Sequence, residues 1–258
     1  MSTTGLIDAL QDVDKPTFGL HGTAFIIGFA GDDSQPEFGG GVFGSPRPAR
    51  FGQIRELVRR GPTALPELLK HVDDARPTKL VFGGDGFRYM FSYYAEEYDP
   101  RDQRLGRLTL GPGAGEAVPL PYTVKVGDVC YSLIGAIADR NLMAIRYQAT
   151  AGLIVNSPVK SATLAKRVRS DWTGVDAAAL KASLIADVKS SNEGWAGLPQ
   201  LRLYFPEVYE GLRTGPMKTR VEMFESRFRT SNQLPDPTSP SVTPAAGAAG
   251  APSVAADH

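Results

Sequence analysis

The chain has 258 residues, 42% of them hydrophobic and 22% charged, which is the balance of an ordinary globular protein with a well-filled core. Its 28 basic and 28 acidic side chains give a formal net charge of zero. This argues against nucleic acid as the main partner, because phosphate binding needs a surplus of Lys and Arg. The single cysteine, Cys130, excludes an internal disulfide and a multi-cysteine metal site.

The ends of the chain differ in composition. The first 15 residues lack the basic segment of a signal peptide, so a cytoplasmic location is expected. Residues from about 231 to 258 are rich in Pro, Ala, Ser and Gly and contain almost no large apolar side chains. Such a segment buries too little apolar surface to offset its ordering entropy, which predicts a globular domain over 1–230 and a disordered tail over 231–258.

Patterns in the first quarter of the chain predict mostly helices. Thr4 to Val13 carries apolar residues on one side and predicts a short helix that ends at Pro16. Thr23 to Phe29 predicts a buried strand, and a loop rich in Gly and Pro follows it. Two further helices are predicted over about 50–60 and 63–73.

Residues 79–94 (KLVFGGDGFRYMFSYY) predict a β-hairpin. Aromatic residues alternate with other residues along the second arm, which is the period of a strand. The Gly-Gly-Asp-Gly segment between the arms suits a tight turn.

Residues 125–140 (KVGDVCYSLIGAIADR) form the most periodic segment of the chain. Apolar side chains recur three and four residues apart, which predicts a helix with a buried stripe. The stripe consists of Val126, Val129, Cys130, Leu133, Ile134 and Ile137. A second extended pair is predicted over 142–148 and 152–156.

The last third of the chain predicts helices. Ser157 and Pro158 suit an N-cap and a first helical position, and Asp176 suits the N-cap of the next helix. A final helical region covers about 198–229, and Pro206 is expected to interrupt it. Buried positions on these helices are expected at Leu164, Val168, Trp172, Leu180, Leu184 and Val188.

The order of elements predicts a single α+β domain dominated by helices. Strands occur as local hairpins rather than in alternation with helices. This argues against a Rossmann-type fold.

The segment Gly61 to Leu69 reads G-P-T-A-L-P-E-L-L. Gly61 ends one helix, Pro62 fixes the turn, and the following apolar residues form one face of the next helix. Residues 50–76 resemble a single helical hairpin of HEAT-like repeats, which implies a scaffold that binds other macromolecules. Such scaffolds need several stacked units, and no series of units at constant spacing is present. The alternative is a packed element of an irregular domain.

No residues are assigned to catalysis, to a metal or to a cofactor. Cys130 lies in the apolar stripe of its helix, where cysteine is usually a small buried hydrophobe. His21 and His71 lack the spacing of metal ligands. The segment FGGGVFGSPRP (38–48) lacks the lysine of a phosphate-binding loop, so a flexible loop is the simpler interpretation.

Two other patterns admit both a structural and a functional interpretation. The adjacent carboxylates Glu96 and Glu97 are expected to point to different sides and to be solvated. Aromatic residues on one strand face, such as Phe91 and Tyr93, could stack on a sugar or peptide. Such a face more often packs against helices.

The last predicted helix contains the segment MKTRVEMFESRFRT. Its apolar stripe is Met217, Val221, Phe224 and Phe228. A basic amphipathic helix can bind a partner or an anionic membrane, or it can pack its stripe on the domain. The candidate partner-binding residues are the flanking cations Lys218, Arg220, Arg227 and Arg229.

These observations favour a protein of undetermined function that acts as a non-catalytic protein-binding or scaffold module. One alternative is an enzyme of unfamiliar type, with a pocket near His21 and the loop from Gly39 to Gly44. Another is peripheral membrane attachment through the basic amphipathic helix 217–229. Oligomeric state and the identity of the partner are not predicted by the sequence.

Overall fold

The computed structural model describes residues 1–15, 51–83, 91–98, 115–148, 152–190 and 196–231. The predicted strand 23–29, His21, the Gly39–Gly44 loop and residues 232–258 lie outside these ranges. The predictions made for them are not addressed by the structure.

Helices form most of the described part. The first helix continues into a 3-10 turn (Ala9–Asp12), and a second 3-10 turn (Gly61–Ala64) joins the next two helices. The α-helices are α1 (Thr3–Asp8), α2 (Gly52–Arg60), α3 (Leu65–Lys70), α4 (Val126–Ala138), α5 (Ala162–Trp172), α6 (Ala177–Ser190), α7 (Leu198–Tyr204), α8 (Pro206–Thr214) and α9 (Lys218–Ser231).

Two small sheets accompany the helices. The strands are β1 (Pro77–Phe82), β2 (Phe91–Tyr94), β3 (Tyr122–Lys125), β4 (Ile145–Gln148) and β5 (Gly152–Val155). β1 and β3 pair antiparallel and form the β1–β3 sheet. The three-stranded sheet has the order β2-β5-β4, with β2 parallel and β4 antiparallel to β5. The predicted α+β class, dominated by helices, is confirmed.

The turn and the start of the second arm of the hairpin predicted over 79–94 lie outside the described residues, so its pairing stays a prediction. Among the described residues, β1 pairs with β3, and β2 pairs with β5 in the parallel direction. The period of two in the sequence identifies a strand and its two faces, and it carries no information about the partner strand. The second extended pair is confirmed as the β4–β5 hairpin.

Helix α4 lies at the centre of the core. The six predicted stripe residues are all buried, as are Tyr131 and Ser132 on other sides of the helix. A helix that is buried all round must be covered by several elements, and α4 packs against α2, α3 and β3. The apolar side chains of α1, including Leu6 and Ile7, belong to the same core.

The start of α4 makes its closest approach to the chain that leaves α3. The amide of Gly127 donates to the carbonyl oxygen of Asp74 at 3.0 Å, and the amide of Val126 donates to that of Arg76 at 2.9 Å. A Cβ atom on Gly127 would lie 2.6 Å from the carbonyl oxygen of Val72. Only glycine therefore permits this contact between two backbone segments.

The predicted helix starts are correct with one exception. Pro206 begins α8, and Asp176 accepts a hydrogen bond from the amide of Ala179 at 2.8 Å. Ser157 does not cap α5, because Ser161 does so by accepting from the amide of Leu164 at 3.1 Å. The Ser157 hydroxyl instead donates to the buried carboxylate of Asp128.

We expect Gly127→Ala to lower the free energy of unfolding by about 2–4 kcal/mol, because the added methyl group would displace the backbone at residues 72–74. The matched control is Gly211→Ala in α8, where a Cβ atom meets nothing within 4 Å. There the gain in helix propensity should raise stability by about 0.5–1 kcal/mol. Urea denaturation of both variants measures the difference, and equal effects at the two positions would contradict the close packing of α4 on the chain that leaves α3.

Candidate functional site

The three-stranded sheet has an inner and an outer face. Paired residues of parallel strands share a face, so Tyr94 and Val155 lie together on one side and Tyr93 and Ile154 on the other. Val155 belongs to the main core and Tyr94 packs against it, which defines the inner face. The alternation continues beyond β2, because Tyr98 also joins this core.

The inner face ends in a buried carboxylate, Asp128 of α4. It accepts hydrogen bonds from the Tyr122 hydroxyl at 2.7 Å, the Ser157 hydroxyl at 2.5 Å and the Lys125 amide at 2.9 Å. Burial raises the pKa of Asp128, and these donors, Ser157 foremost, oppose that rise. With its donors in place, the carboxylate joins β3, α4 and the end of β5.

Glu96 also lies on the inner side and is only 4% exposed. One carboxylate oxygen accepts a hydrogen bond from the Ser161 hydroxyl at the start of α5. The other oxygen, Oε2, is buried and has no partner among the described residues. The prediction that Glu96 is solvated is wrong, because the chain leaving β2 turns this side chain under α5.

Tyr98 completes the inner side. Its hydroxyl donates to Asp171 at 2.9 Å and accepts from the indole nitrogen of Trp172 at 3.1 Å. The guanidinium of Arg167 lies 5.5 Å from the centre of its ring. Burial and the hydrogen bond to Asp171 raise the pKa of the Tyr98 phenol well above its usual value, so the group stays a neutral structural contact.

The outer face carries Glu97, which points away from Glu96 as predicted. The guanidinium of Arg146 on β4 donates to both Glu97 carboxylate oxygens, and one contact, from Nε, measures 2.7 Å. Asn156 donates to the same carboxylate at 3.2 Å and accepts from the Glu97 amide at 2.9 Å. The hydrogen bond to Glu97 raises the pKa of Arg146. Both charged side chains are 17% exposed, so the prediction that Glu97 is freely solvated is wrong.

The aromatic residues of β2 lie on the same outer face. Phe91 and Tyr93 have ring centroids 6.0 Å apart and ring planes inclined by 23°. Phe91 is 40% exposed. The expectation that this aromatic face packs against helices therefore fails for Phe91, since the inner face, which carries Tyr94, provides the contact with the core.

A second exposed face belongs to the β1–β3 sheet. Thr78, Leu80 and Phe82 point into the core, so the alternate residues of β1 point outward. Val81 is 44% exposed, and Leu120, whose side chain lies beside Gly83 just after β1, is 39% exposed. We call this surface the outward face of the β1–β3 sheet.

Two of the four cations on α9 that were predicted to bind a partner, Lys218 and Arg220, have intramolecular contacts. Arg220 donates to the carbonyl oxygen of Val188 near the end of α6. Lys218 lies 3.7 Å from Glu222. The side chains of Arg227 and Arg229 lie outside the described residues, and their assignment stays a prediction.

The apolar stripe of α9 packs on the domain. Val221 and Phe224 are buried in the main core, and Met217 packs against it. The stripe contributes to folding through these three residues.

Other candidate groups have structural surroundings. Cys130 is fully buried, and burial raises the pKa of its thiol, as expected of a small core residue. His71 lies 3.0 Å from Asp74 and 3.7 Å from Glu67. Within the described ranges no group of three or more His, Cys, Asp or Glu side chains could hold a metal ion.

The segment that resembles a HEAT-like hairpin forms two helices joined by a tight turn, as its sequence predicts. Leu57 and Val58 of α2 and Leu65 and Leu68 of α3 are buried. The apolar faces pack against α1 and α4 rather than against a second hairpin in the described residues. The resemblance itself stays a prediction.

Comparisons of the chain with protein-family models, with curated proteins and with solved structures find no match. Among the described residues, no helix has the length and apolar character needed to cross a bilayer.

A separate charged cluster fixes the chain between α3 and β1. Asp74 accepts hydrogen bonds from the guanidinium of Arg76 at 2.7 Å and from the Arg76 amide at 3.0 Å, and His71 lies within the same distance. Arg76 also bridges to Asp8 at 2.7 Å. Burial alone would raise the pKa of Asp74, but the hydrogen bonds from Arg76 and His71 lower it to about 2.

A lowered pKa in the folded state means that the unfolded chain binds the proton more readily. The stabilisation from Asp74 is therefore present above about pH 4 and is lost as the pH falls toward about 2. We expect Asp74→Asn to lower the free energy of unfolding by about 2 kcal/mol at neutral pH. Below pH 4 the free energies of unfolding of the variant and of the unmodified protein should approach each other. Urea denaturation across this range measures it.

Asp73→Asn is the matched control, because the neighbouring carboxylate is 49% exposed and its ion pair with Arg169 is screened by water. It should change stability little. If the loss of unfolding free energy in Asp74→Asn stayed constant down to the lowest pH at which the protein is folded, Asp74 would not stabilise the fold through a carboxylate of lowered pKa.

Proposed function

We propose that the chain is a non-catalytic module that binds a protein partner through the outward face of the β1–β3 sheet. The observation that carries the proposal is the exposure of Val81 on the side of β1 opposite the core, together with the exposure of Leu120 beside Gly83 at the end of β1. Exposed apolar side chains that form a contiguous surface mark interaction sites more often than isolated ones do.

The surroundings of these residues favour a partner surface with carboxylates around an apolar centre. Lys79 and Lys125 flank Val81 on the same outward side, since Lys125 lies opposite Pro77 and Thr123 opposite Val81. Lys79 pairs with Asp12 at 2.7 Å, but both side chains are more than 60% exposed. Such a pair is weak in water and exchanges readily for a partner carboxylate.

The internal pairing of buried charges supports a non-catalytic role. Asp128 has three donors, Glu97 has Arg146, and Arg140 has Asp187 at 2.6 Å. Charges used in this way maintain the fold rather than a reaction. The alternative of an enzyme with a pocket near His21 and Gly39–Gly44 stays a prediction, because those residues lie outside the described part.

Photocrosslinking tests the proposal. We expect a benzoylphenylalanine at position 81 to capture one protein in the native cell, and the same group at the exposed position 178 on α6 to capture none above background. The purified partner should then bind the unmodified chain, and Leu120→Asp should weaken that binding by about tenfold or more, since it places a charge in an apolar contact.

Met223→Asp is the control for Leu120→Asp, because Met223 is 60% exposed on α9. It should leave binding unchanged, and both variants should unfold at the same urea concentration as the unmodified protein. Equal capture at positions 81 and 178, or equal affinity of the two Asp variants, would refute this binding surface.

Membrane attachment through α9 makes a different prediction. Because Val221 and Phe224 are buried, any attachment would depend on charge, and we expect no binding to vesicles of zwitterionic lipid. Binding to anionic vesicles would be lost at high salt and in the Arg227→Glu, Arg229→Glu double variant. Vesicle co-sedimentation measures both, and salt-resistant binding would show that the buried stripe is released.

A further inference from the structure

The outer face of the three-stranded sheet is a second surface with its own chemistry. It combines two neighbouring aromatic rings, Phe91 and Tyr93, with the planar polar group formed by Arg146, Glu97 and Asn156. We propose that this face binds a neutral oligosaccharide, stacked on the rings and hydrogen-bonded at the polar end. The proposal is independent of the protein-binding surface on the β1–β3 sheet.

Gly152 of β5 has no side chain, which leaves room for the Phe91 ring to lie along the sheet. Phe91 lies opposite Gly152, and a Cβ atom at Gly152 would collide with the Phe91 ring. The ring therefore occupies the space over the neighbouring strand. Tyr93 lies opposite Ile154 with its ring plane within 23° of that of Phe91. Any other residue at position 152 would push the first ring away from the sheet.

Two rings arranged in this way suit a sugar. The faces of aromatic rings carry negative charge density, which attracts the weakly positive C–H groups on the flat side of a pyranose. Phe91 is still 40% exposed in the folded chain. The Phe91 ring is therefore accessible to a ligand, and Tyr93 is partly exposed beside it.

The polar end suits hydroxyl groups. The pair between Arg146 and Glu97 uses the Nε and Nη2 groups of the arginine. Within the described residues this leaves the Nη1 group to donate, while each carboxylate oxygen has lone pairs left to accept. A sugar hydroxyl both donates and accepts, so the pair can serve both roles. Since the two charges cancel, a neutral sugar is favoured over a uronic or sulfated one.

The arrangement also sets the length of the ligand. Arg146 lies opposite Ile154, which lies opposite Tyr93, so the polar end and the second ring are neighbours across the sheet. Arg146 lies two strands away from Tyr93, about 10 Å across the sheet, and Phe91 lies two residues further back along β2. A ligand that contacts both rings and the polar end is therefore an oligosaccharide rather than a monosaccharide.

Calorimetric titration with cellohexaose tests the inference, because its glucose units present flat C–H faces on both sides. We expect binding that weakens about tenfold in Phe91→Ala, in proportion to the loss of one aromatic contact. Arg146→Met should weaken it by a similar factor, through loss of the hydrogen-bonding end. Met223→Ala, at an exposed position of α9, is the control and should bind like the unmodified protein.

Gly152→Ala tests the position of the Phe91 ring, because the added methyl group displaces the ring without removing it. This variant should also bind cellohexaose more weakly. Urea denaturation shows which variants are folded. If Phe91→Ala does not fold, Phe91→Trp replaces it in the test, and this variant should retain binding because it keeps an aromatic ring face. Absence of cellohexaose binding at millimolar concentration would overturn the inference. So would binding that is equal in Phe91→Ala, or a preference for adenosine monophosphate or for a peptide.

Discussion

The buried carboxylate of Asp128 holds the structure together. It accepts donors from Tyr122 in the β1–β3 sheet, from the backbone at Lys125 and from Ser157 beyond the three-stranded sheet. A buried charge is costly unless every lone pair in reach finds a donor. Because those donors come from β3 of one sheet and from the residues that follow β5 of the other, the carboxylate is satisfied only when both sheets pack on α4.

This arrangement separates inner from outer faces. Once the inner sides of both sheets are committed to α4 and α5, alternation along the strands sends the remaining side chains outward. On the β1–β3 sheet this is Val81, and on the three-stranded sheet these are the rings of β2 and the pair between Glu97 and Arg146. Both proposed binding surfaces are therefore consequences of the same packing, and they differ in chemistry because the outward residues differ.

Much of the local structure could be predicted from the sequence, because it depends on neighbouring residues. The stripe of α4, the cap at Asp176 and the break at Pro206 each follow from side chains within one or two turns. Partners distant in the chain could not be predicted. The parallel pairing of β2 with β5 joins residues about 60 apart, and strand periodicity carries no information about such pairing.

The candidate surfaces show the same limit. The sequence correctly predicts that Glu96 and Glu97 point to different sides of the strand. It wrongly predicts that both are solvated, because their partners, Ser161 and Arg146, come from elements far along the chain. Phe91 was expected to pack on helices, since an aromatic strand face usually does. Its ring lies over Gly152, on a strand that the sequence does not pair with it. The Gly in a predicted strand was the available signal, as such residues mark close approach.

The most direct measurement is a double-mutant cycle at Asp128 and Ser157, read by urea denaturation. If the carboxylate joins the two sheets through α4, Asp128→Asn should lower the unfolding free energy by about 3 kcal/mol. Ser157→Ala should then cost far less in the Asn background than in the unmodified chain, with a coupling of about 1–3 kcal/mol. Fully additive losses would show that Ser157 and Asp128 act separately, and the carboxylate would then not be the group that joins the two sheets.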